Sequence, residues 1–119
     1  MSREEYLDES ALERLYKLGG GKLVNQMIDI FLTNASKRLG EARNGEEMGD
    51  FKVIEQAVHS LKSSAGNVGA EKLRELAGVI EELAEKEQGE RISALLDELE
   101  AAFEQVKVPL EKEKKGLET

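Results

Sequence analysis

Apolar residues recur at helical spacing along most of the chain, and no stretch shows the sustained alternation of a half-buried strand. The pattern predicts a short helix over about residues 8–18, starting at Asp8 or Ser10, followed by four longer amphipathic helices. These are expected over about residues 22–43, 51–68, 70–86 and 92–106, with Asp50 as the N-cap of the helix that follows it. The chain is therefore predicted to be all-α.

Glycines separate the predicted helices, and the only proline, Pro109, lies near the C-terminus. Short connections make successive helices antiparallel neighbours, so we expect an antiparallel up-down four-helix bundle with a short additional N-terminal helix. The third predicted helix carries a bundle seam, since its apolar positions alternate at spacings of four and three. Those positions are Ile54, Val58, Leu61, Ala65 and Val68. We assign residues 1–109 to the bundle and residues 110–119 to a charged, flexible tail.

Composition narrows the possible functions. The 119 residues fit one domain, and 39% hydrophobic with only 4% aromatic residues predicts an aliphatic core. With 17 basic against 25 acidic residues the net charge is −8, and no Lys/Arg-rich stripe is present, which argues against nucleic acid as a partner. No apolar run approaches the ~20 residues of a membrane span, and no signal sequence is evident, so we expect a cytoplasmic protein without a membrane partner.

The chain has no cysteine and a single histidine, His59. Disulfides, zinc–thiolate sites and thiol nucleophiles are therefore excluded, as is a metal site built from several histidines of one chain. His59 lies about 100° round the helix from Val58, at the edge of the predicted seam. Lys62, Ser63 and Gly66 follow at helical spacing, so the strip combines an imidazole, an ammonium group and small neighbours. His59 is either an ordinary surface residue or a nucleophile beside a cation.

Two observations favour a functional strip. Residues 56–70 contain no acidic residue, although short neutral segments are also common where helices meet. An antiparallel hairpin would place His59 opposite Gly78 and Glu81 of the next helix. Gly78 is unusual in a helix interior and would leave room for a side chain. Glu81 would either accept a hydrogen bond from one ring nitrogen, which leaves the other facing solvent, or be a plain surface acid.

Residues 59–70, which read HSLKSSAGNVGA, resemble the signature of histidine-containing phosphotransfer (HPt) domains. The resemblance implies a four-helix bundle in which His59 is the phosphoacceptor and Lys62 steadies the phosphoryl group. Ser63 and Gly66 would form a low surface for docking. Many members have glycine at the position of Ser63, and several have glutamine where Glu81 stands, which leaves the role of the carboxylate open.

The resemblance also implies a role. His59 would accept a phosphoryl group from the phospho-aspartate of a receiver domain and pass it to a second receiver. The chain has no nucleotide-binding glycine loop, so we expect a phosphocarrier rather than a kinase. It would need no cofactor or metal of its own, because the receiver supplies Mg²⁺. The expected partners are response-regulator receiver domains and a sensor or hybrid histidine kinase, and the protein is expected to be a monomer.

Two other functions are alternatives to the relay. One is a scaffold module that binds receivers without being phosphorylated, which the presence of both His59 and Lys62 disfavours. The other is a hydrolase, which would need an oxyanion hole that helix faces do not readily provide. The segment 14–28 is also free of acidic residues while it holds Arg14, Lys17 and Lys22, so it is a second candidate surface for an acidic receiver face.

Overall fold

The structure is a computed structural model that describes residues 6–118, with their side chains as far as Lys114. Four helices account for the regular structure: α1 (Glu9–Met48), α2 (Phe51–Val68), α3 (Glu71–Glu85) and α4 (Ile92–Glu118). The described residues contain no strand, so the predicted all-α class is confirmed. Residues 1–5 and 119, which the predicted domain division included, lie outside the described range. None of the helices, over this range, is both long and apolar enough to cross a membrane.

The first two predicted helices form the single element α1. The Asp8 carboxylate caps it by accepting a hydrogen bond of 3.0 Å from the Ser10 N–H. Between the two predicted helices only Gly20 leaves the helical conformation, with φ 69° and ψ −166°. Glycine adopts this conformation without a steric penalty, and helix resumes directly after it, so a one-residue break replaces the expected loop. The element then continues beyond the predicted end at residue 43, to a left-handed cap at Gly49.

The four helices pack around one core. Helix α1 contacts α2 and α4, and α3 contacts the same two helices from the other side. Contacts pair early residues of one helix with late residues of its neighbour, so these neighbours run antiparallel. The pairs are Asn34 with Ser64, Gly45 with Val53, Arg43 with Asp97, and Asp29 with Lys114.

The core is aliphatic, as the composition predicts. All five seam positions of α2 are at most 2% exposed, which confirms the face assigned to the interior. Two aromatic rings join this aliphatic core: Phe31 of α1 meets Phe103 of α4 edge to face, with ring centroids 6.0 Å apart. No polar or charged residue is buried among the described residues, so the core provides a rigid apolar support and the chemistry is left to the surface.

Helix α4 continues through Pro109, where the bundle was predicted to end. Proline removes one helical hydrogen bond, but Val106 and Leu110 on either side are 1% and 0% exposed and anchor both flanking turns in the core. One turn later the Lys114 ammonium lies 2.6 Å from the Asp29 carboxylate of α1. The segment predicted as a tail, residues 110–119, therefore begins as part of α4.

The turn between α2 and α3 is closed by the N-terminal segment. Gly69 ends α2 in the left-handed region, with φ 78°. The Asp8 N–H donates a hydrogen bond of 2.6 Å to the Gly69 carbonyl, so the start of α1 is fixed against this turn. A Cβ atom on Gly69 would collide with the Asp8 carbonyl oxygen and press on Ala11. Glycine is thus required here both for its conformation and for the close approach.

Replacing Gly69 by alanine is expected to destabilise the protein more than replacing Gly49. Both glycines are left-handed, at φ 78° and φ 67°, so each alanine carries roughly 1–2 kcal/mol of backbone strain. Open space surrounds Gly49, whereas Gly69 also has the clash with Asp8, which should add at least about 1 kcal/mol. Urea unfolding followed by circular dichroism measures both losses. Equal losses would show that the contact with Asp8 does not matter.

Candidate functional site

His59 lies on the exposed surface of α2, beside the seam that faces the core. Its neighbour Val58 is fully buried, while 63% of the His59 side chain is exposed. The apolar seam therefore fixes the helix, and the helix holds the imidazole at the surface next to α3. This is the position that the helical spacing predicts.

The antiparallel packing of α2 against α3 brings Glu81 to His59. His59 Nδ1 lies 2.5 Å from Glu81 Oε2, within hydrogen-bond distance. Further contacts in the same register follow towards the turn: Lys62 lies beside Gly78, and Gly66 lies beside Arg74. Of the two interpretations of Glu81, the geometry favours the hydrogen-bonded one, since this carboxylate faces the histidine.

Lys62 also contacts this carboxylate. Its ammonium Nζ lies 2.5 Å from Glu81 Oε1, so the two oxygens of one carboxylate are shared between the lysine and the histidine. Only 16% of the Glu81 side chain is exposed, against 36% for Lys62. Both groups that the sequence places on the outer strip of α2 therefore meet one sheltered acid of α3.

The surroundings of Glu81 favour its charged form. Burial raises the pKa of the Glu81 carboxyl, but the hydrogen bonds from Lys62 and His59, together with the charges of these residues, outweigh burial and lower the pKa below its ordinary value of 4.5. Glu81 is therefore a carboxylate at neutral pH. A carboxylate only accepts hydrogen bonds, so the proton in the His59–Glu81 bond belongs to Nδ1 of the ring.

This bond determines which ring nitrogen is available for chemistry. In neutral imidazole one nitrogen carries the proton and the other has a free lone pair. With Nδ1–H donating to Glu81, the lone pair is on Nε2 of a side chain that is mostly exposed. The arrangement provides a fixed imidazole nucleophile with a carboxylate behind it and an ammonium group one helical turn away.

The remaining predicted site residues are Gly78, Gly66 and Ser63. A Cβ atom on Gly78 would lie 3.6 Å from Cδ of Lys62, an ordinary contact, so the space beside Gly78 is next to the lysine stem rather than the imidazole. A Cβ atom on Gly66 would lie 3.4 Å from Cδ of Arg74. Ser63 is exposed on α2. The structure thus groups His59, Lys62, Glu81 and Gly78, with Ser63 and Gly66 further along the same helix.

Two features of the site were missed at the sequence level. One is the Lys62–Glu81 ion pair, because spacing within α2 alone does not show that the lysine reaches across to α3. The other is the hydrogen bond of 3.3 Å from Asn34 of α1 to the Ser64 hydroxyl on the opposite side of α2. The position of His59 and Lys62 opposite Glu81 in the predicted hairpin is a signal for the ion pair. No local pattern indicates the hydrogen bond between Asn34 and Ser64.

Metal ligation is a separate question from the imidazole chemistry. Within the described part of the chain, no three histidine or acidic side chains are grouped so that they could hold a metal ion.

In the candidate segment 14–28, the Arg14 guanidinium donates to Ser10 within α1, while Tyr16 and Leu18 are 55% and 80% exposed. That segment remains a predicted surface only.

Comparison with known proteins identifies the family. A family profile described as "Hpt domain" matches residues 26–108, which include α2, α3 and the whole His59 site. No curated protein matches the chain. Among solved structures, the crystal structure of histidine-containing phosphotransfer protein B (HptB) from Pseudomonas aeruginosa PAO1 is similar, with a TM-score of 0.88 and 24% identity over 92% of this chain and 95% of that one. The likeness to this crystal structure concerns the fold. The family profile, by contrast, covers most of the chain. The chain therefore belongs to the Hpt domain family, which supports a histidine phosphotransfer role in phosphorelays.

Proposed function

We propose that this protein is a phosphorelay carrier in which His59 accepts a phosphoryl group from the phospho-aspartate of one receiver domain and passes it to another receiver. The observation that carries the proposal is the hydrogen bond from Nδ1 of the largely exposed His59 side chain to Glu81, which leaves the lone pair on Nε2. Family membership supports a phosphocarrier rather than a kinase and implies receiver domains and kinases as partners.

The proposed transfer is an in-line displacement at phosphorus. The Nε2 lone pair forms the N–P bond while the bond from phosphorus to the aspartate oxygen breaks, and the aspartate leaves as a carboxylate. The Nδ1 proton stays on the ring, so the phosphorylated imidazole gains positive charge, which the Glu81 carboxylate stabilises through its hydrogen bond. The reverse displacement by the aspartate of a second receiver completes the relay.

Lys62 is the second functional group of the proposal. Its ammonium group would steady the transferred phosphoryl group, while Glu81 keeps the lysine close to the histidine when no phosphoryl group is bound. Ser63, Gly66 and Gly78 would keep the surface low for the incoming receiver. The carrier would hold no metal or cofactor of its own, since Mg²⁺ belongs to the receiver in this scheme.

The remaining features of the proposal concern the protein as a whole. The contacts fit an up-down bundle in which the part of α1 before Gly20 acts as an appended helix. The protein would act in the cytoplasm, as a monomer, and would receive phosphoryl groups from receivers that a sensor or hybrid histidine kinase has phosphorylated.

His59→Gln is expected to abolish phosphorylation of this chain. The parent is mixed with a receiver domain carrying labelled phospho-aspartate, and label on the parent should be labile in acid and stable in base, as a phosphorus–nitrogen bond requires. Glutamine keeps a polar side chain but has no imidazole nucleophile. Equal labelling of the variant would overturn the proposal. A parent that binds the receiver but takes up no label would instead support the scaffold function.

Lys62→Ala is expected to slow transfer to His59, or to shorten the lifetime of the phosphohistidine, by roughly ten- to a hundredfold, the range for loss of one hydrogen bond to a charged group. Rapid-quench measurement of transfer and decay of the label over time give the two rates. Lys72→Ala, at an exposed lysine of α3, is the matched control and should match the parent. If Lys62→Ala also matches the parent, the ammonium group has no part in the reaction.

Glu81→Gln is expected to change how stability depends on pH. The pKa of Glu81 is lower in the folded than in the unfolded protein, so the unfolded state binds more protons at acidic pH. The stabilisation by Lys62 and His59 is therefore complete above about pH 4.5 and is lost as the pH falls through the lowered pKa. Urea unfolding between about pH 3 and pH 7 should show the parent losing stability relative to Glu81→Gln on acidification. Glu82→Gln, at an exposed neighbour, serves as control. Parallel curves for the parent and Glu81→Gln would contradict the assigned pKa shift.

A further inference from the structure

An open groove lies at the end of the bundle where α1 turns into α2 and where α3 ends. Its volume is about 530 Å³. The residues around it belong to the two connections and to the helix ends beside them. They are Met48, Gly49, Asp50, Phe51, Lys52, Glu55, Ala84, Glu85 and Glu87.

The rim of the groove is acidic. Asp50, Glu55, Glu85 and Glu87 face a single basic residue, Lys52, so four carboxylates stand against one ammonium group. The Asp50 carboxylate caps α2 by accepting from the Val53 N–H at 3.2 Å. Among the described residues, the other three carboxylates and Lys52 make no ion pair, whereas other acids of the bundle, such as Glu71 and Glu100, are paired with arginine.

Apolar residues also line the groove. Met48 is 68% exposed although it is a large hydrophobic residue. The half-buried Phe51 ring lies next to Gly89, where a Cβ atom would come within 3.1 Å of the ring. A groove lined by acidic and apolar residues is complementary to a segment that carries lysine or arginine beside apolar side chains.

The groove lies next to the His59 site, along the line on the surface where α2 and α3 meet. Glu55 lies four residues before His59 on α2, and Glu85 lies four residues after Glu81 on α3. Four residues correspond to about one helical turn, or ~6 Å along the axis. A macromolecule that covers His59 therefore has its edge over this groove.

We propose that the groove receives a basic segment, with apolar side chains at its centre, of the receiver domain that exchanges phosphoryl groups with His59. This inference rests on the proposed function and adds how the receiver is recognised and oriented. From His59 towards the turn at Gly69, the strip on α2 is free of acids and carries Lys62. From His59 in the other direction the surface is acidic. The two ends therefore differ in sign.

The receiver chemistry fits this two-sided surface in one orientation. A phospho-aspartate site is anionic and meets the strip that carries Lys62, where the nearby acid, Glu81, is sheltered and already bound to Lys62 and His59. Because this chain has a net charge of −8, an anionic partner needs attraction elsewhere, and the unpaired carboxylates of the groove supply it for a basic segment. Opposite charges at the two ends would fix the orientation of the receiver as well as increase the rate of encounter.

The test compares charge changes inside and outside the groove. Glu85→Lys/Glu87→Lys reverses two rim charges, and Glu98→Lys/Glu111→Lys makes the same change in net charge at exposed positions of α4. Lys52→Glu adds negative charge to the groove. The probe is the receiver domain, loaded with labelled phosphate from acetyl phosphate, that transfers fastest to the parent. Labelling of His59 by phosphoramidate, a small donor that needs no docking, shows that each variant keeps its site.

At low ionic strength, Glu85→Lys/Glu87→Lys is expected to lower kcat/KM for transfer from the receiver by about tenfold or more. The α4 variant should stay within about twofold of the parent, and Lys52→Glu should be faster than the parent. At roughly 0.5 M salt the differences should largely disappear, because exposed charges are screened.

The failures of the two proposals are distinguishable. If Glu85→Lys/Glu87→Lys accepts the phosphoryl group at the parental rate, or is slowed no more than the α4 variant, the groove does not receive the partner, while the relay function stands. If no receiver transfers label to the parent, although phosphoramidate labels His59, the relay function fails and the docking proposal fails with it.

Discussion

The register between α2 and α3 is the constraint on which the candidate site depends. The left-handed turn at Gly69, held by the hydrogen bond from Asp8, sets which residues of the two helices face each other. In that register one sheltered carboxylate, Glu81, meets both His59 and Lys62. A shift of one residue would turn Glu81 by about 100° around α3 and separate it from both His59 and Lys62. The N-terminal segment thus acts on the site through the turn, without touching it.

Much of this arrangement could be predicted from the sequence, because periodicity and capping are local signals. The seam of α2, its cap at Asp50 and the exposed edge for His59 follow from spacing alone, and the antiparallel hairpin then places Glu81 opposite. Helix ends predicted from local signals were wrong where tertiary contacts determine the structure. The glycines between the first two predicted helices indicated a loop, yet α1 needs only one break, at Gly20. Pro109 indicated an end, yet buried neighbours carry α4 through it.

The ion pair between Lys62 and Glu81 shows why the finer geometry escaped prediction. A lysine has a long flexible stem, so its position on α2 does not determine where its ammonium group lies. The stem passes beside Gly78, and the charge ends at α3 rather than on the outer strip. The acidic groove escaped prediction for a related reason. Its rim combines residues in and beside two connections that are more than thirty residues apart in sequence, and only the folded bundle brings them together.

The carboxylate of Glu81 binds both His59 and Lys62, so the roles of these two residues depend on each other. While no phosphoryl group is present, Glu81 holds Nδ1–H and the Lys62 ammonium at the same time, and both interactions lower its own pKa. In the proposed reaction the new charge on the ring strengthens the first bond, whereas the phosphoryl oxygens at Nε2 compete with Glu81 for the lysine. Lys62 can turn from Glu81 towards the phosphoryl oxygens by rotation of its side chain, since 36% of that side chain is exposed and Gly78 presents no side chain beside it. The bundle then needs no change in helix packing between the free and the phosphorylated states, which suits a carrier that presents one surface to donor and acceptor alike.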